Sequence, residues 1–173
     1  MLNTLFELPT DAYQKTSDDI YTPKWIFDAM GLQFDLDPAS PFEGPWHVPT
    51  EDYYTPAEDG LFMPWFGLVW CNPPWSEFTY WAERYRRHET AVIMGLCLSE
   101  TLWFPRVMSA SDAVSFISVE FHRAVPGPRN NGGRVRFRQH CFVAFRGVGV
   151  EPAERLSAAD PYGATLYGPA GRG

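Results

Sequence analysis

Several features that mark common protein classes are missing from this sequence. No hydrophobic run approaches the roughly 20 residues that a helix needs to cross a membrane. No secretory signal accompanies the polar start Met1–Thr4, so we expect a cytoplasmic protein. Cysteine is scarce, and the three cysteines lie in apolar runs without the spacing of metal ligands: Cys71, Cys97 and Cys141. We interpret them as buried, reduced thiols and expect no metal site.

Arginine is absent from residues 1–83. Residues 1–83 contain two lysines and fourteen acidic residues, whereas residues 84–140 contain nine arginines and four acidic residues. The net charge of −7 therefore hides two oppositely charged parts. Clustered arginines can neutralise phosphates, and an acidic region can hold a cationic cofactor, with solvated surface charge as the alternative. The two clusters comprise Arg84, Arg86 and Arg87, then Arg123, Arg129, Arg134, Arg136 and Arg138.

The order of hydrophobic and turn-forming segments predicts one α/β domain. A chain of 173 residues with 45% hydrophobic residues can build a sizeable core. Because strands and helices alternate before a final hairpin, we expect a mostly parallel sheet with an antiparallel C-terminal hairpin. Strands are predicted at 32–36, 67–71, 90–98, 113–121 and 135–145, and helices at 24–30, 76–88 and 99–108.

Two boundaries can be predicted from a few residues. Thr22 and Pro23 form a typical helix start, with Thr22 as the cap, and Gly31 is a typical helix stop. After Arg146 the chain is rich in Gly, Ala and Pro and has no periodicity. We therefore expect a folded domain over residues 1–146 and a loosely ordered tail over residues 147–173.

The segment that says most about function follows the apolar run 67–71 and reads Asn72-Pro73-Pro74-Trp75. Two consecutive prolines restrict the backbone and donate no hydrogen bonds, so the carbonyls of Asn72 and Pro73 are oriented before a ligand arrives. The Asn72 side-chain oxygen and one carbonyl could accept both hydrogens of an adenine or cytosine amine, while Trp75 stacks on the base. The alternative is an ordinary Asn-Pro turn beside a core tryptophan.

A second polar loop, Asp37-Pro38-Ala39-Ser40, follows the preceding predicted strand. In open α/β sheets ligands bind at the carboxyl ends of the strands, so one cleft could contain both loops. Asp37 offers a carboxylate to a cofactor, although an Asp before Pro is also a common turn former. The sequence has no GxGxxG run, so a cofactor would be held differently from a dinucleotide in a Rossmann fold.

Taken in order, these segments resemble the phage-type Dam-like DNA N6-adenine methyltransferases. The resemblance implies a compact, shortened class I (Rossmann-like) methyltransferase fold. It also implies an enzyme that uses S-adenosylmethionine to methylate the exocyclic amine of adenine in DNA, in a bacterial or phage-infected cell. The similarity covers roughly residues 18–146 and rests on Tyr21-Thr22-Pro23-Lys24, Phe34-Asp35-Leu36-Asp37-Pro38-Ala39-Ser40, Asp59-Gly60-Leu61, Trp65, Val69-Trp70-Cys71-Asn72-Pro73-Pro74-Trp75 and Gly133-Arg134-Val135-Arg136-Phe137.

The resemblance implies roles for individual residues. Four match the catalytic motif that holds the target amine and stacks on the flipped base: Asn72, Pro73, Pro74 and Trp75. Others match motifs that border S-adenosylmethionine: Thr22, Pro23, Asp37, Pro38, Ala39 and Asp59. Among these, Asp37 would lie near the methionine part of the cofactor, Thr22 and Pro23 near its carboxylate, and Asp59 near its adenine.

The chain departs from typical class I methyltransferases. It lacks their glycine-rich turn, and only roughly 35 residues separate Asp37 from Asn72, so at least one βα unit is shortened or missing. We also expect no separate target-recognition domain within these 173 residues. We expect a monomer or homodimer that binds double-stranded DNA, with a flipped adenine, through arginines of the second helix and the late hairpin: Arg84, Arg87, Arg129, Arg134, Arg136 and Arg138.

Alternative substrates stay open at the level of sequence. The NPPW motif is specific to amino-group methyltransferases as a class, so RNA adenine, cytosine N4 in DNA or a protein glutamine could be the acceptor. The basic second half of the chain argues against a protein substrate, but it hardly distinguishes RNA from DNA. A nucleic-acid-binding relative without catalytic activity is a further alternative, because the missing glycine turn could abolish cofactor affinity.

Overall fold

The computed structural model describes residues 20–124 and 134–169. Within this part of the chain there are four helices and five strands, so the α/β class is confirmed. The elements are α1 (Lys24–Met30), β1 (Val69–Cys71), a 3-10 turn (Trp75–Glu77), α2 (Phe78–Arg87), β2 (Ala91–Leu96), α3 (Trp103–Ala110), β3 (Ala113–Ala124), β4 (Arg134–Arg146), α4 (Glu151–Ala158) and β5 (Ala164–Tyr167). None of the described helices is long and apolar enough to cross a membrane.

The five strands form one sheet in the order β1-β2-β4-β3-β5. β1 and β2 are parallel, whereas β4 runs antiparallel to both β2 and β3, and β5 runs antiparallel to β3. The predicted C-terminal hairpin is present as β3 and β4, but the mostly parallel sheet is not confirmed. The reason is that β4 turns back and lies between β2 and β3. These two strands each pair with the antiparallel β4 and do not pair in parallel with each other.

Two short bridges extend the sheet beyond β1. Leu36 pairs in parallel with Val69, and Asp37 pairs in parallel with Tyr53. The Trp70 N–H donates to the Leu36 carbonyl at 3.0 Å. The end of the first predicted strand and the residue after it therefore form one bridge to β1 and one bridge to Tyr53. The carboxyl end of this segment lies at the same edge of the sheet as the carboxyl end of β1. This edge carries both polar loops identified in the sequence.

The sheet is covered on both faces, which explains why β1 is uniformly apolar. Trp70 points toward the cluster beneath α1 and α4, and its ring lies 4.8 Å from Phe27 and 5.7 Å from Phe34 between centroids. Val69 and Cys71 belong to the cluster beneath α2 and α3 on the opposite face. Because β1 is packed on both sides, the residue that follows it has a fixed starting position.

The C-terminal part of the described chain is folded, which corrects the expectation of a loosely ordered tail. Ala153 and Leu156 of α4 are fully buried, and the Ala153 carbonyl accepts a hydrogen bond from Ser115 of β3 at 2.7 Å. Arg155 donates to the Met30 carbonyl at the end of α1. The segment has too few apolar residues to reveal a helix by periodicity, and burial against the sheet and α1 stabilises it instead.

The first helix matches its predicted bounds, but its N-cap differs from the expectation. Pro23 occupies the N-cap position, and no side chain caps the helix. Gly31 ends it in the left-handed region with φ of 64°, where glycine avoids the strain of a Cβ atom. Thr22 therefore lies one residue before the cap, and its hydroxyl is available for a contact with the loop after β1.

Candidate active site

The Asn72 side chain is oriented by the segment that precedes α1. Its Nδ2 donates to the Ile20 carbonyl at 3.0 Å and to the Thr22 hydroxyl at 3.1 Å. Since a backbone carbonyl can only accept, the Ile20 contact fixes which end of the amide is nitrogen. The opposite end, Oδ1, is therefore directed away from these two groups.

Asn72 Oδ1 is a buried acceptor that lacks a donor. It has almost no solvent-exposed area and receives no hydrogen bond from any residue that the structure describes. Leaving such an atom unpaired costs about 1–3 kcal/mol, so buried acceptors of this kind are uncommon in folded proteins. The loop thus presents an acceptor whose hydrogen-bonding capacity is unused within the described chain.

The carboxylate of Asp37 is also buried and has little compensation. Its residue is 3% exposed, and the hydrogen bond that Oδ1 receives from the Ala39 N–H is 3.1 Å long. Burial raises the pKa of Asp37 to about 7, and the Ala39 hydrogen bond lowers it only in part. No cationic side chain that the structure describes pairs with it. A cationic ligand would supply the missing partner.

Asp37 gives the stability of the protein a defined dependence on pH. Between its ordinary pKa of 3.8 and about 7, the folded protein keeps a proton that the unfolded chain has lost. Stability linked to this group is therefore fully present below the lower value and is lost as the pH rises through about 7. From pH 5 to pH 8, we expect the free energy of unfolding to fall by about 3 kcal/mol more in the wild type than in Asp37→Asn.

Urea denaturation of both proteins at the two pH values measures this difference. Asp52→Asn, at an exposed neighbouring carboxylate, is the matched control and should follow the wild-type curve. Coincident pH dependences for the wild type and Asp37→Asn would contradict the assignment of a buried, poorly compensated carboxylate.

Two adjoining cavities lie at this edge of the sheet. The smaller is lined by both polar loops and the segment before α1, including Thr22, Asp37, Trp46 and Asn72. The larger, of about 220 Å³, is hereafter called the proline cleft and is lined by Pro38, Ala39, Ser40, Thr55, Pro56, Asp59, Gly60, Pro74, Glu77 and Trp81. Ala39 lines both cavities. An elongated ligand could therefore occupy the two together.

The wall of the proline cleft is fixed by a close backbone approach at Gly60. A Cβ atom at this position would lie 1.9 Å from the Pro38 carbonyl oxygen, so only glycine fits. The Gly60 carbonyl accepts a hydrogen bond from Trp65 Nε1 at 2.9 Å, and Asp59 Oδ1 accepts one from the Leu61 N–H at 3.2 Å. The predicted Asp59-Gly60-Leu61 segment is thereby held against the Asp37-Pro38-Ala39-Ser40 loop.

Trp75 joins the loop to the C-terminal hairpin. Its half-buried ring makes an edge contact with Phe121 of β3, at 5.6 Å between centroids, and Phe121 stacks on Phe137 of β4. Pro74 directly precedes the 3-10 turn, and its carbonyl accepts the Glu77 N–H at 3.1 Å. The Trp75 ring, which the sequence predicts to stack on a base, thus packs against the hairpin. Trp75 is not part of the fully buried core.

The predicted DNA-binding arginines have different surroundings. Arg84 donates to the Met63 carbonyl at 2.6 Å and lies 5.1 Å over the Trp65 ring, so it anchors the loop beside the proline cleft. Arg87 is 77% exposed and pairs with Glu83 at 2.9 Å. Arg138 is 58% exposed and lies 3.7 Å from Glu120. Arg129 lies outside the described residues, and so do the side chains of Arg134 and Arg136.

Several site residues could not be recognised from the sequence. The roles of Ile20 and Thr22 in orienting Asn72 depend on contacts across about fifty positions of the chain. Ser40 and Trp81 line the proline cleft with unpaired polar atoms. The sequence did contain a signal for Trp81. Helical spacing predicts that this residue lies on the buried face of α2, where its polar N–H needs a hydrogen-bond partner.

The cysteines fit their predicted role as free thiols. Cys71 and Cys141 are buried, whereas Cys97 is half-buried. Burial raises the pKa of Cys97 to about 11. Among the described residues, no group of three or more His, Cys, Asp or Glu side chains is arranged to hold a metal ion.

Comparison with known proteins identifies a family. A family model described as DNA N-6-adenine-methyltransferase (Dam) matches residues 10–154, which is most of the chain. No curated protein and no solved structure matches the sequence or the fold.

Proposed function

This chain belongs to the Dam family of DNA N-6-adenine-methyltransferases, and we propose that it transfers a methyl group from S-adenosylmethionine to the exocyclic amine of adenine in double-stranded DNA. The observation that carries the proposal is the buried, unpaired Asn72 Oδ1 in the same loop as the half-buried ring of Trp75. An acceptor held in this way at the carboxyl end of a strand is suited to bind an amine hydrogen of a flipped base.

Asn72 would act on the amine through its fixed orientation. Its Nδ2 is held by Ile20 and Thr22, so Oδ1 need not reorganise when the target amine arrives. Accepting one amine hydrogen draws the nitrogen out of conjugation with its ring and directs its lone pair. The Pro73 carbonyl would accept the second hydrogen, and the rigid proline pair keeps the two acceptors in register.

Trp75 and the arginines would bind the rest of the substrate. Stacking of the flipped base on Trp75 contributes about 1–3 kcal/mol and offsets part of the cost of extruding the base. The exposed Arg87 and Arg138 could exchange their carboxylate partners for phosphates, and Arg129, Arg134 and Arg136 remain predicted contacts. Arg84 supports the cleft wall, so we assign it a structural contribution to binding.

The residues present fit S-adenosylmethionine. The buried Asp37 carboxylate has no cationic partner in the described chain, which suits the ammonium group of the cofactor. Thr22 and Pro23 would border its carboxylate, Pro38 and Ala39 its central part, and Asp59 its nucleoside. When bound, the cofactor supplies an electrophilic methyl group on sulfur. The chain would contribute alignment and acceptor groups, without a covalent bond to the protein.

We also propose that the sheet is a shortened class I, Rossmann-like methyltransferase sheet. The bridge at Leu36, together with β1 and β2, gives three adjacent parallel segments whose carboxyl ends carry the two functional loops. β3 points the same way because β4 is antiparallel to both β2 and β3. Ligands of doubly wound sheets bind at this end of the strands, which supports the proposal.

The test is incubation of the purified protein with labelled S-adenosylmethionine and unmethylated DNA, followed by mass spectrometry of the nucleosides. We expect N6-methyladenine, and none with Asn72→Ala prepared in parallel. N4-methylcytosine, or product formed only on RNA, would contradict the substrate assignment. If calorimetry shows no binding at millimolar S-adenosylmethionine, the alternative of a nucleic-acid-binding protein without this activity would be supported.

Removing the Thr22 hydroxyl is expected to slow the reaction. Thr22→Val keeps the shape of the side chain but deprives Asn72 Nδ2 of one of its two acceptors, so the amide is held less firmly. We expect kcat to fall about tenfold, equivalent to one hydrogen bond. Thr22→Ser keeps the hydroxyl and should recover most of the rate. Dissociation constants for S-adenosylhomocysteine check the reason, because a contact with the cofactor alone would change Kd and leave kcat unaltered.

A further inference from the structure

Two polar atoms in the wall of the proline cleft have no partner. Ser40 is 2% exposed and Trp81 is 5% exposed, and both line the cleft. Ser40 Oγ and Trp81 Nε1 are buried, and neither forms a hydrogen bond within the part of the chain that the structure describes. Most buried polar side chains are paired, so two exceptions in one cavity indicate a missing ligand more than a packing defect.

A neighbouring indole provides an internal comparison. Trp65 and Trp81 lie 6.3 Å apart between ring centroids. Trp65 Nε1 is paired with the Gly60 carbonyl, which shows that this region supplies a partner where the indole serves only the fold. The Trp81 N–H on α2 has no such partner. Trp81 thus differs from the indole next to it, whereas Trp75 Nε1, outside the cleft, is also buried and unpaired within the described chain.

The chemistry of the cleft suits an adenine nucleoside. Its apolar walls are formed by three prolines, an alanine and an indole, which can cover the faces of a planar ring: Pro38, Pro56, Pro74, Ala39 and Trp81. The Trp81 N–H can donate to a ring nitrogen, and the Ser40 hydroxyl can both donate and accept. The exposed carboxylates of Asp59 and Glu77 can accept hydrogen bonds from ribose hydroxyls or an exocyclic amine.

The position of the cleft decides between two sources of such a nucleoside. Ala39 lines both the cleft and the cavity of Asp37, so a nucleoside bound in the cleft lies next to a site for a cationic group. A nucleoside that carries an amino-acid group has both an adenine nucleoside and an ammonium group in one molecule. A target deoxyadenosine has no ammonium group. We propose that the proline cleft binds the nucleoside half of S-adenosylmethionine, with Ser40 and Trp81 as hydrogen-bonding residues that select adenine. This inference rests on the proposed function and adds two residues to its cofactor site.

Calorimetric titration of the full chain with S-adenosylhomocysteine tests the assignment without turnover. Ser40→Ala and Trp81→Phe each remove one polar atom and keep most of the side-chain volume. We expect each variant to bind S-adenosylhomocysteine about 5- to 20-fold more weakly, the range for loss of one buried hydrogen bond. The same loss is expected for 5′-methylthioadenosine, which has the nucleoside but no amino-acid group. Asp37→Asn should weaken S-adenosylhomocysteine binding and leave 5′-methylthioadenosine binding unchanged.

Matched controls separate binding from folding. Ser109→Ala changes an exposed serine on α3, and Trp103→Phe changes an indole outside the cleft, so both should bind S-adenosylhomocysteine as the wild type does. Thermal melts confirm that every variant is folded before titration.

Two outcomes would overturn the inference while the proposed function stands. One is wild-type affinity for both ligands in Ser40→Ala and Trp81→Phe. The other is unchanged affinity for S-adenosylhomocysteine together with weaker binding of a duplex that contains adenine, which would assign the cleft to the target base. A wild-type protein that binds no S-adenosylhomocysteine would overturn the proposed function itself.

Discussion

Asn72→Ala is expected to reduce kcat for DNA methylation by about 10²–10³-fold, the loss associated with removing one preorganised acceptor from an active site. The reason is specific to this loop. Oδ1 is a buried acceptor without a partner in the described residues, and the contacts of Nδ2 to Ile20 and Thr22 hold it in place. Alanine removes the acceptor and leaves the proline pair, Trp75 and the proline cleft unchanged.

The measurement is single-turnover kinetics with the cofactor in excess, accompanied by titration with S-adenosylhomocysteine. We expect the dissociation constant to stay within about twofold of the wild type, because the proline cleft does not include Asn72. The free energy of unfolding should change by about 1 kcal/mol or less, since the lost hydrogen bonds are offset by removal of the unpaired oxygen. A fully active Asn72→Ala protein would show that the reacting amine binds elsewhere.

Gly60→Ala is expected to weaken cofactor binding by about tenfold or more and to destabilise the fold by about 1–3 kcal/mol, as overpacking does in well-packed sites. The new Cβ would lie 1.9 Å from the Pro38 carbonyl oxygen and 2.8 Å from the Pro38 carbonyl carbon. Both atoms belong to the backbone, so no side-chain rotation can relieve the clash. The loop that carries Asp59 must then move away from Pro38, and the shape of the proline cleft is lost.

Gly163→Ala is the matched control for this prediction. Its Cβ would lie 2.0 Å from the Ser157 carbonyl oxygen, a similar backbone clash between α4 and β5. We expect a comparable loss of unfolding free energy by urea denaturation, with unchanged affinity for S-adenosylhomocysteine by calorimetry. If Gly60→Ala lost stability to the same extent but bound S-adenosylhomocysteine normally, the packing of the two loops would not shape the cofactor cleft.

The features predicted correctly from the sequence are local ones. Gly31 ends the first helix as predicted, and Pro23 marks its start although Pro23, and not Thr22, occupies the N-cap, because their backbone preferences act on their immediate neighbours. The two polar loops follow buried segments at one sheet edge, as parallel strand pairing requires. The alternation of apolar segments likewise gave the hairpin of β3 and β4. In each case the signal is a short segment of neighbouring residues, although the pairing of Leu36 with Val69 and of β3 with β4 joins distant positions.

The errors in the fold come from long-range pairing. The position of β4 between β2 and β3 is decided by which strands meet in the folded chain, and residue spacing does not encode that choice. The helix α4 was missed because its stability comes from burial against β3 and α1. A composition rich in Gly, Ala and Pro indicates that the isolated segment has little tendency to form a helix. It does not show whether the segment becomes helical when it packs against the rest of the protein.

The sequence by itself determined that Asn72-Pro73-Pro74-Trp75 is a rigid acceptor loop beside an aromatic ring, because proline geometry and amide chemistry are intrinsic to those residues. Only the tertiary structure decided how that loop is used. Ile20 and Thr22 direct the Asn72 amide, burial raises the pKa of Asp37 to about 7, and Gly60 packs on Pro38. Orientation, desolvation and cavity shape arise from contacts between distant segments, and these exist only once the sheet has assembled.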